Sequence, residues 1–376
     1  MIKISTFCSG IGSPEFGFEE LSQELDFKYE NVFACEIDAN ARKSYLANHN
    51  PTNMLIDMTK YDYKRSDIFQ KKDKFYSDIN VAGLPCQAFS IAGRRMGEMD
   101  DRGILFFDYY RWIDNQRPKV FIIENVKGLL SIEKGTVFQN WLHLLGNSVN
   151  GHRQMFNHPD SLGYNLHYTT LNTKHFGIPQ NRERVFIVGI RNDLPNDFRF
   201  PKGFSLKLRL KDILEKNVDE KYYLSEKAIK SIILNKENLQ KPNINPDVAS
   251  TIQCPGNSCG TYKGANFISE PNIIQINTKN NWGDSVKQQN RVYDDSGIMA
   301  CVPAARTESK VNIRTDSRIR RLTPLETWRL QGLKDEYFNN AKNSGIADTH
   351  LYKQSGNSMT KHVIKAIIKN TLHLLQ

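Results

Sequence analysis

Apolar residues in the N-terminal part of this chain fall into short runs, most of them followed by a turn or an amphipathic stretch. The runs predict strands over residues 3–7, 31–35, 54–56, 78–82 and 119–123, and helices are predicted over residues 15–25 and 39–48. Strands that alternate with helices are typical of an α/β protein with a mostly parallel sheet. In such a sheet, ligands and chemistry collect at the carboxyl ends of the strands.

Three later segments complete the pattern. Residues 166–172 and 184–190 are strand-like, and we expect them to form an antiparallel edge pair that closes the sheet. Thr323, Pro324 and Glu326 form a capping-box pattern, which predicts a helix that continues to Gln331. Residues 361–375 carry apolar side chains at helical spacing, which predicts a last helix packed back on the sheet.

The region between these segments has a different texture. From about residue 191, prolines, glycines and asparagines favour short strands and long loops. A chain of 376 residues is long enough for two domains. The sequence therefore predicts a larger domain of residues 1–190, completed by residues 333–376, and a smaller loop-rich domain of residues 191–332.

Composition narrows the class of protein. The net charge of +10 suits a polyanionic partner, although dispersed basic residues also fit a solubility charge. Six cysteines in a chain of this length do not indicate a disulfide framework. Cys254 and Cys259 lack a second pair at zinc-site spacing, so no metal is expected. No apolar run reaches the length of a membrane span, and we expect a cytoplasmic protein.

Two residues suited to catalysis follow neighbouring predicted strands. Cys86 comes after residues 78–82 on a turn constrained by Gly83 and Pro85, and Glu124 directly follows residues 119–123. The carboxyl ends of parallel strands share one edge, so we expect the thiol and the carboxyl at the same edge. They suit a nucleophile and a general acid. A buried structural cysteine and a capping or ion-paired carboxylate are the alternatives.

The first strand runs into a glycine turn that contains Ser9, Gly10 and Gly12, and a helix follows it. Such a turn presents backbone N–H groups to an anionic group. Glu36 follows the second strand, where an acidic residue commonly binds ribose hydroxyls, and Asp38 fits a helix N-cap. The third glycine of the dinucleotide fingerprint is missing, so the turn by itself gives a dehydrogenase only weak support.

The stretch Pro85-Cys86-Gln87, with Phe89-Ser90 after it, resembles the nucleophile motif of the cytosine-5 methyltransferases that act on DNA. Other motifs of that family recur in the family's order along nearly the whole chain, except for residues 191–318. They are Ser9-Gly10-Ile11-Gly12, Glu36-Ile37-Asp38, Glu124-Asn125-Val126, Gln180-Asn181-Arg182-Glu183-Arg184, Arg321-Leu322-Thr323-Pro324, Arg329-Leu330-Gln331-Gly332 and Gly356-Asn357-Ser358. Each motif alone is weak, whereas the ordered set is very specific.

The resemblance implies a Rossmann-like sheet of the S-adenosylmethionine-dependent methyltransferases, with a smaller, loop-rich target-recognition domain. It implies methylation of carbon 5 of a cytosine in a specific duplex DNA sequence, as in a restriction-modification system. The catalytic residues that it carries over are Cys86, Glu124, Arg182 and Arg184. The cofactor-binding residues that it carries over are Ser9, Gly10, Gly12, Glu36, Ile37, Asp57, Pro85, Leu105 and Asn357. For Asp57, a turn-forming role is the alternative.

The expected partner is double-stranded DNA, bound by a monomer, and a cognate restriction endonuclease would act on the same site. In the loop after the nucleophile, which the resemblance implies closes over a flipped nucleotide, the candidate contacts are Gln87, Ser90, Arg94 and Arg95. A solvated charged loop would look similar. In the loop-rich region, position and charge alone suggest Lys263, Arg291 and Arg306.

One departure from the family concerns the cofactor. Cys8 occupies the position before the glycine turn where the family usually has an aromatic residue, and Phe7 lies one residue earlier. Stacking on the cofactor adenine is therefore expected to be weaker, or to come from another side chain.

The nearest alternative is a transfer RNA cytosine-5 methyltransferase with the same core. That branch carries a Cys-Phe-Thr tripeptide, and none of the six cysteines here is followed by Phe-Thr. A DNA-binding protein that has lost catalysis is a second alternative, which the presence of both Cys86 and Glu124 disfavours.

Overall fold

The computed structural model describes residues 1–60, 75–85, 104–155, 158–223, 292–294, 299–300, 312–315 and 318–375. The chain divides into two compact units. The first unit comprises residues 1–171, 183–202 and 359–376, and the second comprises residues 172–182 and 203–358. These units are defined by compactness alone. The division by function stays a prediction, with a catalytic domain of residues 1–190 and 333–376 and a target-recognition domain of residues 191–332.

The described residues form strands and α-helices that alternate along much of the chain. The strands are β1 (Ile2–Phe7), β2 (Tyr29–Cys35), β3 (Asn53–Leu55), β4 (Ile79–Gly83), β5 (Val120–Val126), β6 (Gly146–Val149), β7 (His152–Arg153), β8 (Tyr164–Asn172), β9 (Gln180–Asn181), β10 (Glu183–Ile190), β11 (Val292–Asp294), β12 (Met299–Ala300), β13 (Asn312–Thr315) and β14 (Arg318–Arg321). The α-helices are α1 (Ser13–Leu25), α2 (Ala39–Leu46), α3 (Ile104–Gln116), α4 (Thr136–Leu145), α5 (Pro324–Arg329), α6 (Asp335–Asn343), α7 (Asp348–Asn357) and α8 (Lys361–Lys369).

The first unit is built on a sheet in the order β3-β2-β1-β4-β5-β10-β8-β6-β7. Strands β3, β2, β1, β4 and β5 pair in parallel with one another, and β10 pairs antiparallel with β5. This arrangement confirms the predicted α/β class with a mostly parallel sheet. The strand order reverses direction at β1, which lies between β2 and β4, and open α/β sheets bind their ligands outside the carboxyl ends of the strands at such a point.

The predicted edge pair is wrong in one respect. Strands β8 and β10 are neighbours in the sheet, but they do not end it, because β6 and β7 lie beyond β8. Strand β6 pairs in parallel with β8, and β7 pairs antiparallel with β6. These two strands are short, and the β6 sequence Gly-Asn-Ser-Val has no apolar alternation that would predict a strand.

Aromatic side chains fill the core of the first unit. The ring of Phe7 contacts the rings of Phe33, Tyr109 and Trp112 edge-to-face, at centroid distances of 5.1, 5.6 and 5.2 Å. Edge-to-face packing is favourable for aromatic pairs and adds to the free energy gained by burial. Helix α3 is therefore packed against β1 and β2 by its aromatic side chains.

Local capping explains where two helices begin. Asp38 is the N-cap of α2 as predicted, because its carboxylate accepts hydrogen bonds from the backbone N–H groups of Asn40 and Ala41 at 2.9 and 3.1 Å. Thr323 is the N-cap of α5 in a complete capping box with Glu326, which also confirms the prediction. Helix α5 ends at Arg329 rather than at Gln331, and Gly332 follows with φ +75°.

The last predicted helix is shorter than expected. Helix α8 ends at Lys369, Asn370 caps it, and a separate 3₁₀ turn covers Leu372–Leu375. Helix α8 packs against α1, since a Cβ added at Gly17 would lie 3.3 Å from the Cβ of Lys365. The C-terminal segment thus belongs to the first unit.

The second unit contains α5, α6 and α7, with the short sheet β11-β13-β14 and the pair β12-β9. Helices α5 and α7 are joined by the indole N–H of Trp328, which donates to the carbonyl of Leu351 at 3.0 Å. Arg320 and Glu326 form an ion pair with two hydrogen bonds, of 2.7 and 2.8 Å, between side chains that are almost fully buried.

Within the described ranges, no helix has the length and apolar composition that crossing a membrane requires.

Candidate active site

The strand register brings five chain segments to one edge of the sheet. Phe7 is paired with Cys35 and with Ala82, Cys35 with Leu55, and Gly83 with Glu124. The residues that follow these strand ends therefore lie along the same edge. They are the glycine turn after β1, Glu36 and Ile37 after β2, Asp57 after β3 and Pro85 after β4, together with Glu124 near the end of β5.

The glycine turn has the backbone geometry that its sequence predicts. Gly10 and Gly12 have φ values of +57° and +86°, in the left-handed region that favours glycine. A Cβ at Gly10 would meet no atom within 4 Å, so the backbone at this point faces open space. A Cβ at Gly12 would lie 2.2 Å from the ring Nε2 of His49, so any side chain there would clash.

The carboxylate of Glu36 binds two backbone N–H groups, one in the glycine turn and one two residues after Glu36 itself. Its Oε2 accepts a hydrogen bond from the N–H of Gly10 at 2.8 Å, and its Oε1 accepts one from the N–H of Asp38 at 2.8 Å. Burial raises the pKa of Glu36, and the two hydrogen bonds act in the opposite direction. A carboxylate fixed in this way beside an open glycine turn fits the binding of ribose hydroxyls.

Three other cofactor-site candidates, Ile37, Asp57 and Pro85, lie at the same edge, and a fourth, Leu105, lies in the first turn of α3. The side chain of Ile37 is 69% exposed, Pro85 is exposed, and Leu105 is partly buried against the core. Asp57 uses its Oδ1 to accept hydrogen bonds from the backbone N–H and the hydroxyl of Thr59, at 3.0 and 2.8 Å. The turn-forming role considered for Asp57 is therefore present.

The catalytic candidates Glu124 and Arg184 are paired. Nε of Arg184 lies 3.1 Å from Oε1 of Glu124, and the Glu124 side chain is only 11% exposed. The pairing follows from the sheet, because β10 runs antiparallel to β5 and places Arg184 opposite Val126. The contact is an ion pair, and Oε1 of Glu124 has no hydrogen-bond partner among the described residues, so the guanidinium attracts the carboxylate through charge.

Arg182 has partners in the second unit, to which it belongs. Its two terminal nitrogens donate to the carbonyls of Gly356 and Ser358, at 3.1 and 2.8 Å. These carbonyls lie at the carboxyl end of α7, where a helix leaves carbonyls without partners and a positive charge is favourable. Asn357, the last residue of α7, lies between them and is exposed. Arg182 thus fixes the backbone on both sides of Asn357.

Asn125 belongs to the motif Glu124-Asn125-Val126, and the motif alone does not predict a role for its side chain. Its amide nitrogen donates to the carbonyl of Leu84 at 3.1 Å, and its amide oxygen accepts from the N–H of Val126 at 2.8 Å. Leu84 is two residues before Cys86. The side chain of Asn125 therefore ties the end of β5 to the segment that leads to the expected nucleophile.

The remaining site candidates lie outside the described residues. They are Cys86, Gln87, Ser90, Arg94, Arg95, Lys263, Arg291 and Arg306, and Cys254 and Cys259 lie outside as well. Among the residues that are described, no group of three or more His, Cys, Asp or Glu side chains could hold a metal ion.

The aromatic residue next to Cys8 is not available to a ligand. Phe7 is 1% exposed and forms part of the core. Cys8 is the partly exposed residue at this position, and burial, with a smaller contribution from Glu36, raises the pKa of its thiol to about 12. Cys8 is therefore a neutral, weakly polar side chain at the edge where the family usually has an aromatic ring.

Comparison with known proteins gives a consistent result. Residues 2–373 match the family model for the C-5 cytosine-specific DNA methylases. The chain is 32% identical to the orphan methyltransferase M.SPRI of Bacillus phage SPR, over 99% of this chain and 98% of that protein. It is 33% identical to the type II methyltransferase M.HpaII of Haemophilus parainfluenzae, over 98% of this chain and 88% of that protein.

Among solved structures, the Dnmt2 methyltransferase of S. pombe is similar in fold. The TM-score is 0.64 at 16% sequence identity, and the match covers all of both chains. At this identity, the likeness concerns the fold alone. The family model and the two sequence relatives together show that the chain belongs to the C-5 cytosine-specific DNA methylases and is a DNA (cytosine-5-)-methyltransferase.

Proposed function

We propose that this enzyme methylates a cytosine within a specific duplex DNA sequence, by covalent addition of Cys86 to a base that has left the helix. The observation that carries the proposal is the position of Glu124. Its strand partner is Gly83, and the adjacent Asn125 binds Leu84, so the carboxyl is next to the segment that leads to Cys86.

The chemistry needs a nucleophile and an acid on the same base. Carbon 5 of cytosine is a poor nucleophile, because the ring is aromatic and electron-poor. Addition of the Cys86 thiolate to carbon 6 forms a C–S bond and moves an electron pair into the ring, which turns carbon 5 into an enamine carbon. A proton from Glu124 to ring nitrogen 3 neutralises the charge. Carbon 5 then forms a bond to the methyl group of S-adenosylmethionine as the sulfur–methyl bond breaks and S-adenosylhomocysteine leaves. Loss of the carbon 5 proton to water or hydroxide, return of the nitrogen 3 proton to Glu124 and departure of the Cys86 thiolate then restore the ring.

Arg184 acts through Glu124 in this proposal. Its guanidinium is 3.1 Å from the carboxylate, and its proposed role is to draw the carboxylate towards one side of the site. A correctly placed general acid is worth roughly 100- to 10,000-fold in rate. Arg182 contacts the end of α7, so its proposed contribution is to the backbone around Asn357.

The residues at the sheet edge fit S-adenosylmethionine. The open backbone at Gly10, the fixed carboxylate of Glu36 and the exposed Ile37 offer a turn, a ribose acceptor and an apolar surface. S-adenosylmethionine supplies the methyl group that carbon 5 receives. Ser9, Gly12, Asp57, Pro85 and Leu105 complete the proposed cofactor site in the first unit, and Asn357 is proposed as a cofactor residue on the family resemblance alone.

The substrate is proposed to be duplex DNA. A base inside the helix exposes neither face to Cys86, so it must leave the stack at a cost of a few kcal/mol. The net charge of +10 supports a phosphate-rich partner. The type II and orphan phage relatives support a modification enzyme, with a cognate endonuclease as the partner in the restriction-modification case.

The test is transfer of tritium from labelled S-adenosylmethionine to duplex DNA and, in parallel, to transfer RNA. We expect the label to appear in DNA. Bisulfite sequencing of the methylated DNA should locate the modification at carbon 5 of a cytosine in one recurring sequence. Label in transfer RNA alone would favour the alternative substrate and contradict the proposal.

The covalent step has its own test. Cys86→Ser is expected to abolish turnover while DNA binding persists, and a 5-fluorocytosine in the recognised site is expected to cross-link at residue 86. Turnover at the wild-type rate in Cys86→Ser, or a cross-link at a different residue, would exclude Cys86 as the nucleophile.

A further inference from the structure

A buried carboxyl that the proposed catalysis does not use lies beneath the glycine turn. Glu15 is 1% exposed and occupies the first turn of α1, three residues after Gly12. Its Oε1 accepts hydrogen bonds from the hydroxyls of Thr6 and Tyr45, at 2.6 and 2.8 Å. Thr6 and Tyr45 are themselves almost fully buried. The carboxyl therefore joins α1 to β1 and to α2 in the interior.

The hydrogen bonds continue from Glu15 to the glycine turn. The hydroxyl of Thr6 lies 2.7 Å from that of Ser9, the second residue after β1. The hydroxyl of Ser9 accepts from the N–H of Cys35 at 3.0 Å and is 3.1 Å from its carbonyl. Cys35 directly precedes Glu36. One continuous network thus fixes both the turn and the residue that carries the proposed ribose acceptor.

A hydrogen bond from Asn31 determines the direction in which the hydroxyl of Tyr45 donates. The amide of Asn31 donates to the hydroxyl of Tyr45 at 2.8 Å, so the proton of Tyr45 is free to point at Glu15. Asn31 belongs to β2. The network therefore ties together β1, β2, α1 and α2 around a single carboxylate oxygen.

Stability alone does not account for a carboxyl at this position. Burial raises the pKa of Glu15, which reflects the free energy cost of removing a carboxylate from water, and its Oε2 is buried without a hydrogen-bond partner among the described residues. An apolar side chain of similar size would avoid this cost. What the carboxyl provides is an acceptor for two hydroxyl donors from two different elements.

We propose that Glu15 is a positioning residue for cofactor binding, which holds the glycine turn and Glu36 in the geometry that receives S-adenosylmethionine. The inference rests on the proposed cofactor site. Glu15 does not contact the cofactor in this proposal, and it acts through Thr6 and Ser9.

The test compares Glu15→Ala with Glu15→Gln, using calorimetric Kd values for S-adenosylmethionine and steady-state kinetics on folded protein. Glu15→Ala removes the acceptor of two hydrogen bonds, so we expect Kd and KM for the cofactor to rise about 10-fold. The kcat at saturating cofactor should change by less than about twofold. Glu15→Gln retains an acceptor oxygen and should recover most of the affinity.

Tyr45→Phe removes one donor, changes the fold less, and still tests the proposal if Glu15→Ala does not fold. We expect Tyr45→Phe to raise the Kd for S-adenosylmethionine about threefold. The double variant with Glu15→Ala should have the same Kd for S-adenosylmethionine as Glu15→Ala alone. Gln23→Ala, on the exposed face of α1, is the matched control and should leave Kd unchanged.

The outcomes separate this inference from the proposed function. If the wild type binds S-adenosylmethionine and Tyr45→Phe or Glu15→Ala binds it with the same Kd, the positioning role of Glu15 is excluded and the cofactor proposal stands. If the wild type itself does not bind S-adenosylmethionine, the cofactor proposal fails, and the inference fails with it.

Discussion

The amide of Asn125 donates to the carbonyl of Leu84 at 3.1 Å, and this contact links the strand that carries Glu124 to the segment that leads to Cys86. Both partners are buried. A proposed acid in β5 and a proposed nucleophile three residues beyond the end of β4 need such a link if their separation is to be held constant. The contact joins two residues that are 41 positions apart in sequence.

Asn125→Asp should show whether this link matters for the reaction. The variant keeps an acceptor for the N–H of Val126 and loses the donor to Leu84. Because small displacements of reacting groups are costly in rate, we expect kcat to fall by about 10- to 100-fold, with a smaller change in the cofactor KM. Single-turnover methyl transfer measures the effect. Asn192→Ala, at an exposed position, is the control, and an Asn125→Asp rate within about twofold of wild type would contradict the prediction.

The pair of Arg184 and Glu124 predicts non-additive kinetics. If Arg184 acts by orienting Glu124, then Arg184→Ala and Glu124→Gln should each lower kcat by roughly 100-fold or more, and the double variant should be little worse than Glu124→Gln. Arg153→Ala, on the exposed strand β7, should be near wild type. Losses that multiply in the double variant would show that Arg184 acts independently of Glu124.

His49 predicts a stability that falls in mild acid. Its ring packs against Phe16 and Tyr45, at centroid distances of 4.2 and 4.8 Å, and burial lowers the pKa of His49 from 6.5 to about 4. The unfolded chain then binds a proton at a pH where the folded chain does not. The free energy of unfolding should therefore decrease as the pH falls from about 6.5 to about 4, by up to about 3 kcal/mol.

Denaturant unfolding of wild type and His49→Gln at a series of pH values measures this contribution. The variant should have a shallower pH dependence over that window, whatever its stability at pH 7. His152→Gln, at an exposed position, should retain the wild-type slope. Parallel curves for the wild type and His49→Gln would show that His49 does not make the contribution.

Arg182 predicts a coupling to Asn357. Arg182→Lys keeps the charge but cannot bind the carbonyls of Gly356 and Ser358 with two fixed nitrogens. We expect Arg182→Lys and Asn357→Ala each to raise the cofactor Kd about 5- to 10-fold, and the double variant to show no further increase. Lys353→Ala, on the same helix, is the control. An unchanged Kd in Arg182→Lys, measured on folded protein, would exclude this role for Arg182.

Much of the fold was predictable because the signals are local. The apolar runs of β1, β2, β4 and β5 identify strands directly, and the caps at Asp38 and Thr323 fix two helix starts through side-chain hydrogen bonds to nearby N–H groups. The prediction that β8 and β10 form the edge of the sheet was wrong, because the sequence signal for the strands beyond them is weak. The polar four-residue strand β6 gives no alternation, and it exists because β8 offers it a partner.

The candidate site was predictable to a similar extent. Motif order identified Glu124, Arg184 and Glu36, and the parallel register brings Glu36 and Glu124 to one edge of the sheet. The roles of Asn125 and Glu15 were not predicted, because their partners come from other elements. A buried glutamate in the first turn of a helix looks, in sequence, like an ordinary residue that favours the helix N-terminus.

The sequence by itself determined the class of this protein and the kinds of groups at its site, because strand formers, glycine turns and helix caps act over a few residues, and the family's motifs can be read in order. Tertiary structure alone decided which groups meet. Arg182 and Ser358 are 176 positions apart, and only the folded backbone places the guanidinium at the end of that helix. The contacts between distant residues depend on packing, which no local pattern of the chain encodes.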